Sequence, residues 1–192
     1  MRLGKPRFIL GFLALSVVLS WSAGGFRDAL GTLRLFTAPA PAHLPMPVAG
    51  VRAVDIRDSW GAPRPGGRRH QGIDIFAPRG RAILSTTPGL VVAVGHNRLG
   101  GNVVRVLGPG AEWHYYAHLD AFGPVRPGLW IPAGTLLGYV GDSGNAKGTP
   151  SHLHYGIYHA GGAVNPYPRL AGGPRPAQIQ GPGPARTGAK KG

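Results

Sequence analysis

Three features of the sequence predict a turn-rich, all-β fold. Short runs of β-branched and aromatic residues recur between Ile83 and Tyr158. Clusters of glycine and proline bound those runs, so most of the 33 glycines and 20 prolines read as punctuation between strands. No uninterrupted helical period of about twelve residues follows Val48. A chain of 192 residues has room for one such domain of ordinary size.

The elements follow in order. Residues 1–7 carry Arg2, Lys5 and Arg7 and no acid, and Phe8–Ala23 is an uncharged, largely apolar run. A basic segment followed by an apolar one predicts export, so residues 1–23 are expected to be a signal peptide or a membrane anchor. Ser22-Ala23-Gly24 offers a small-residue cleavage site, although the run is nearly long enough to span a bilayer. With no cysteine to acylate, a lipoprotein anchor is excluded, as are disulfides and thiolate metal sites.

Residues 24–47, ending in Thr37-Ala38-Pro39-Ala40-Pro41-Ala42-His43-Leu44-Pro45-Met46-Pro47, read as a stiff linker. The folded domain is expected over residues 48–170. Its strands are expected at Ile83–Ser85, Gly89–Val94, Asn102–Leu107, Trp113–His118, Thr135–Val140 and His152–Tyr158. The second and third of these should pair across a Gly95–Gly101 turn that contains His96. Residues 171–192 are rich in glycine and proline with little to bury, and should form a disordered basic tail.

The formal charge of +14 is unevenly distributed. Residues 51–170 hold twelve basic and six acidic residues, whereas residues 171–192 hold four basic and none acidic. For an exported chain this favours anionic envelope polymers or lipid headgroups. Nucleic acid is not expected, because the arginines sit beside glycine and proline in loops rather than interleaved with aromatics on a sheet.

The chemistry lies in two histidine motifs. His152 and His154 fall on one face of a strand by the two-residue period, and His70 and Asp74 share a face if their segment is extended. Gly72 between the latter pair leaves that face open to close approach. Imidazole and carboxylate donors with one open position are what a catalytic zinc site requires. The sole glutamate is Glu112 and no His-Glu-x-x-His helix exists, so a proton shuttle must be histidine or aspartate. His43 falls in the linker, and His114 and His159 have no ligand-like neighbour. His118 remains as a further candidate. Asp142-Ser143-Gly144-Asn145 lacks the following helix of a nucleophile elbow and reads as a turn.

Three separated motifs then agree with one family in order and residue type. These are His70-x-x-x-Asp74, Tyr116-Ala117-His118-Leu119, and Gly141-Asp142-Ser143-Gly144 leading to His152-Leu153-His154. Over roughly Pro47 to Pro168 the chain resembles the lysostaphin-type, or LytM-like, zinc metallopeptidases that hydrolyse peptidoglycan. The resemblance implies a compact antiparallel β domain with the metal in an open groove. It implies zinc on His70, Asp74 and His154, with His118 and His152 as the catalytic pair. It also implies an exported endopeptidase, periplasmic or anchored in the inner membrane facing the periplasm, acting on peptide stems or crosslinks. A monomer is the default, with membrane tethering if the N-terminal segment is retained.

Some relatives have lost ligands and only activate cell-wall amidases. This chain keeps all five positions, although Tyr155 stands where relatives often carry Phe. Their retention argues for an active enzyme, and the alternative reading is a non-catalytic module that binds cell wall or activates a partner. A biotinyl/lipoyl-like carrier, suggested by Val125–Gly134, is disfavoured because Lys147, the lone lysine of the domain, lacks an acceptor context.

Overall fold

A computed structural model describes residues 30–172. The expected signal or anchor segment (residues 1–23) and nearly all of the tail lie outside the described residues. Among those described, no helix is long and apolar enough to cross a membrane.

The architecture is the antiparallel β fold that the sequence predicts. Strands β1 (Pro63–Arg64) and β2 (Arg68–Arg69) form a small hairpin, followed by β3 (Ile73–Phe76) and β4 (Ala82–Leu84). The long strands are β5 (Gly89–Asn97), β6 (Gly101–Gly108), β7 (Glu112–Phe122) and β10 (His152–His159). Shorter ones are β8 (Trp130–Ile131), β9 (Leu136–Val140) and β11 (Gly162–Val164). A helix, α1, covers residues 30–37, and a second, α2, covers Tyr167–Ala171. The main sheet runs β11-β10-β7-β6-β5-β8, with β3 also on β10 and β9 joining β4 to β7.

Alternation along these strands separates a core face from a groove face. Leu153, Tyr155 and Ile157 of β10 are fully buried, as are Ile73 and Ile75 of β3 and Val104 and Val106 of β6. With Ile83, Val91, Tyr116, Leu119, Leu137 and Val140 they form one continuous cluster. The residues between them, His152, His154, Asp74 and Tyr115, face the other way.

The β5–β6 hairpin pairs as expected and is tighter than expected. His96 lies in β5 opposite Asn102, and pairing continues to Asn97↔Gly101. The Asn97 side chain caps the turn, accepting hydrogen bonds from the backbone N–H groups of Leu99 (3.1 Å) and Gly100 (2.7 Å).

Residues 30–48 touch the domain at several points, while Leu33 and Phe36 of α1 stay exposed. Leu44, Met46 and Val48 alternate along an extended stretch, and Leu44 and Val48 are each 1% exposed within the core. The core therefore begins four residues before the expected opening at Val48, because three apolar side chains two residues apart share one buried face despite the intervening prolines. Leu44 N–H donates to the Arg169 carbonyl of α2. His43 lies beside Gly172. Trp130 packs across Gly31 of α1.

His114 of β7 is wholly buried, with Nδ1 2.7 Å from the Tyr155 hydroxyl and Nε2 without a hydrogen-bond partner. Burial, helped by the nearby Arg169 charge, lowers its pKa to about 3. An unfolded chain takes up that proton near pH 6.5 while the folded one refuses it until about pH 3. Stability from this group is thus complete above pH 6.5 and is lost as the pH falls towards 3. Its share between pH 6 and 4.5 is about 2 kcal/mol. Thermal melts of the chelated protein should fall across that interval, and His114→Phe should flatten the slope. An unchanged slope in the variant would assign the acid sensitivity to other groups.

Candidate metal centre and groove

One groove of about 1010 Å³ contains every residue singled out from the two motifs. His70, Asp74, His118, His152 and His154 all line it, with Arg64, Arg105, Trp113, Tyr115 and Tyr158 among the other walls.

Strand pairing positions the centre. His154 of β10 is opposite Asp74 of β3 on one side and opposite Ala117 of β7 on the other. His152, two residues back, shares its face. Residues on paired strands at directly opposed positions have neighbouring side chains, so the Asp74 carboxylate meets His154. His70 approaches from the loop before β3, and the intervening Gly72 makes room for the ring of His154. A Cβ on Gly72 would lie 2.6 Å from the Tyr155 carbonyl oxygen and 2.7 Å from a His154 ring carbon.

The three donors converge closely. Asp74 Oδ1 is 3.1 Å from His70 Nε2 and 3.2 Å from His154 Nδ1, and those two nitrogens are 2.9 Å apart. Ligands on a tetrahedral zinc with bonds of ~2.0–2.1 Å stand about 3.3 Å from one another, close to this triangle. Among the described residues, His70, Asp74 and His154 are the cluster able to hold a metal ion. His152 Nε2 is farther out, 3.9 Å from Asp74 Oδ1. Of the four ligand types that the motifs offer, three therefore meet and His152 stands beside them.

Hydrogen bonds set the chemistry of each ring. His70 Nδ1–H donates to the Ser59 carbonyl (2.7 Å), which leaves Nε2 as a bare lone pair aimed at the centre. The hydroxyl of Ser59 accepts from the Asp74 backbone N–H (3.1 Å), so one residue braces two donors. His118 Nδ1–H donates to the Ser143 carbonyl and His152 Nδ1–H to the Pro150 carbonyl, each at 2.8 Å. Both rings thus keep Nε2 free to exchange a proton.

Arg64 binds Asp74 Oδ2, leaving Oδ1 for the cluster. Burial opposes the Asp74 charge, but its polar contacts with His154, His70 and Arg64 outweigh it and hold the carboxyl well below the usual range. Burial also lowers the pKa of His154. It lowers that of His118 to about 4, with the charges of His152 and His154 adding to the effect despite the Ser143 carbonyl.

His118 reaches the groove through an irregularity. Along β7, Trp113, Tyr115 and Ala117 face the groove and His114 and Tyr116 face the core, so simple alternation would bury His118. Between Val104↔Tyr116 and Asn102↔Leu119 the β6–β7 register shifts by one residue on the β7 side. His118 occupies that bulge with φ of +66°, a left-handed conformation rare outside glycine. Its N–H donates to the Gly100 carbonyl at 2.7 Å. The ring then stands 5.0 Å from that of His152 and 5.9 Å from that of His154.

Asp142–Asn145 proves to be structural scaffolding, as a turn reading requires. The Ser143 hydroxyl donates to the Leu119 carbonyl and accepts from Asn102 N–H, while its own carbonyl orients His118. Sequence reasoning missed Ser59, Arg64 and Tyr115. Only Tyr115 carries a signal, sharing strand parity with Ala117 opposite His154.

Three donors on one groove, with two further imidazoles beside them, form a cluster that could hold a metal ion. The chain belongs to peptidase family M23, whose model matches residues 68–166. The peptidases of this family depend on zinc, and the two nitrogens and one carboxylate oxygen gathered here suit that ion.

Among similar proteins is an L-Ala–D-Glu endopeptidase of Bacillus subtilis, 40% identical over 126 residues, covering 59% of this chain and 39% of the relative. The murein hydrolase activator NlpD of Escherichia coli is 32% identical over 112 residues, covering 58% of this chain and 28% of the relative. The match thus spans well under half the length of either. Among solved structures, a putative glycyl-glycine endopeptidase lytM from Ruminococcus gnavus superposes with a TM-score of 0.56 at 33% identity, covering 72% of this chain and 61% of that one. The catalytic domain of lysostaphin from Staphylococcus simulans gives 0.54 at 25% identity, covering 60% and 92%.

Zinc affinity should depend on the Gly72 gap. Gly72→Ala should lower it by roughly 10–100-fold, the scale of lost supporting contacts at metal sites, with the domain still folded. Competition with a chromogenic chelator reads this directly. His154→Ala should bind no zinc under the same conditions, and full occupancy would remove His154 from the ligand set.

Proposed function

We propose that the chain is an exported zinc-dependent endopeptidase that hydrolyses peptide bonds in the stems or crosslinks of bacterial peptidoglycan. His70, Asp74 and His154 hold the metal, and His118 and His152 form the catalytic pair. The observation that carries the reading is the placement of His118. A left-handed bulge in an otherwise regular strand brings its free Nε2 beside His152 and His154. Such backbone strain costs of order 1–3 kcal/mol and is retained where function uses it.

Zinc, when bound, supplies Lewis acidity that acidifies water and polarises the scissile carbonyl. The protein's residues do the rest. Asp74 offers one carboxylate oxygen, because Arg64 occupies the other. His118 and His152 present Nε2 towards the groove with Nδ1–H locked on backbone carbonyls, so neither ring needs to turn to gain or release a proton. An imidazole that stays unprotonated at neutral pH can take a proton from the attacking water and pass it to the leaving amine. Burial keeps His118 in that unprotonated form.

The names of the relatives support both the substrate and the place. One is an L-Ala–D-Glu endopeptidase and another a murein hydrolase activator. A cell-wall substrate lies outside the cytoplasm, in agreement with the basic and apolar N-terminal segment. The limits at residues 23 and 170 belong to the same proposal, as does a monomeric enzyme. All five groups expected of an active member share one groove here, which favours an enzyme over an activator.

Peptidoglycan fragments released by the zinc-loaded chain, compared with a chelated control by mass spectrometry, test the proposal. New zinc-dependent peptide termini are the expected result. His118→Ala and His152→Ala should each keep zinc while hydrolysis drops by about 10²–10⁴-fold. A folded, zinc-loaded wild-type chain that releases nothing would point instead to a binding module.

A further inference from the structure

The groove carries more positive charge than a metal centre needs. Arg64, Arg68, Arg69 and Arg105 line it, and Asp74 is the sole acid among the lining residues. Three of these arginines are engaged: Arg64 with Asp74, Arg68 with the Pro65 carbonyl and Arg69 with the Gly61 carbonyl. Arg105 differs. The arginines in ion pairs among the described residues are Arg52, Arg64, Arg79 and Arg169. Arg105 instead stands over the Tyr115 ring, its guanidinium carbon 5.5 Å from the ring centre.

Its position is fixed by the sheet. Arg105 lies in β6 between Ala93 of β5 and Tyr115 of β7. The small Ala93 leaves one flank open, and Tyr115 supports the other. The hydroxyl of Tyr115 accepts a hydrogen bond from the Asn97 amide (3.1 Å), which holds the platform. From Tyr115 the next step along the groove floor is His154, 6.0 Å away between ring centres. Those two steps together span no more than about three residues of extended peptide at ~3.4 Å each.

Resting on the endopeptidase reading, we infer that Arg105 is a specificity residue that binds a carboxylate of the substrate two to three residues from the bond cleaved. The preferred substrate is therefore an anionic stem peptide rather than an uncharged bridge. A stacked, unpaired guanidinium is preorganised for a bidentate carboxylate contact. Arg68 and Arg69 on the β1–β2 hairpin add field of the same sign at the rim.

The test compares two forms of one stem peptide, with every carboxyl free or every carboxyl converted to carboxamide. Cleavage is followed on the zinc-loaded full chain. Binding is followed by calorimetry on the zinc-loaded His118→Ala chain, where turnover does not consume the ligand. Free-acid peptide should be favoured about tenfold or more in kcat/KM and in affinity. Arg105→Gln should shrink that ratio to about threefold or less, whereas Arg126→Gln, which removes the same charge outside the groove, should keep it. Because each ratio is taken within one protein, partial folding or zinc loss cancels.

Equal treatment of the two peptides, or a preference that survives Arg105→Gln, overturns the inference while cleavage still upholds the endopeptidase. An Arg105-dependent binding preference without any cleavage upholds the carboxylate site and overturns the endopeptidase.

Discussion

The centre depends on the register of β10, which holds His154 opposite Asp74 of β3 and opposite Ala117 of β7 at once. A slip of one residue on either side would turn His152 and His154 into the core and put Leu153 and Tyr155 in the groove. That slip is opposed by the whole apolar cluster, since Leu153, Tyr155, Ile157, Ile73 and Ile75 bury themselves only in the observed register. Each of these side chains contributes roughly 1.5–3 kcal/mol on burial. Hydrophobic packing on one face thereby fixes polar geometry on the other to within a fraction of a residue.

Polar packing on the groove face would be unstable without something to balance it. Two imidazole nitrogens and a carboxylate oxygen lie about 3 Å apart, and Ser59 removes the His70 Nδ1 proton from the reckoning by binding it to a carbonyl. Bare lone pairs at that separation repel one another unless a proton or a cation lies between them. Arg64 relieves part of the negative charge from the far oxygen of Asp74. Its charge is also felt at His154, where it disfavours a proton, and the natural partner of the clustered nitrogens is a metal ion. The fold's stability and its affinity for metal are thus coupled through the same side chains.

How much of this was legible in the sequence varies by residue and for physical reasons. The two-residue period placed His152 and His154 together, and Gly72 announced the close approach that the His154 ring makes. The long strands were legible for the same reason, because alternation and β-branched runs are local signals. His118 shows the opposite case. Its parity along β7 assigns it to the core, and only the bulge turns it outward; the family motif found it where periodicity alone would have misplaced it. Ser59 and Arg64 left no trace, because they act from a loop and a two-residue strand whose position is set by tertiary contact. Leu44 was hidden by surrounding prolines, which read as linker although its alternation with Met46 and Val48 was present.

Arg64 and Arg105 show how one residue type serves opposite ends of the groove. Arg64 is bound to Asp74 and partly neutralises it, so the carboxylate gives less electron density to a bound ion. A partner that holds the far oxygen of a ligand in this way tunes both the affinity for a metal and the metal's acidity. Arg105 has no ion-pair partner among the described residues, and in the inference above the substrate supplies one. Moving the free charge nearer the centre would place a second cation beside zinc and oppose its binding; moving it outward would forfeit the low-dielectric flank that Tyr115 provides. A distance of two ring steps separates the two requirements. The sheet sets that distance, since Arg105, Tyr115 and Gly156 are consecutive cross-strand neighbours and His154 is the next groove-facing residue along β10.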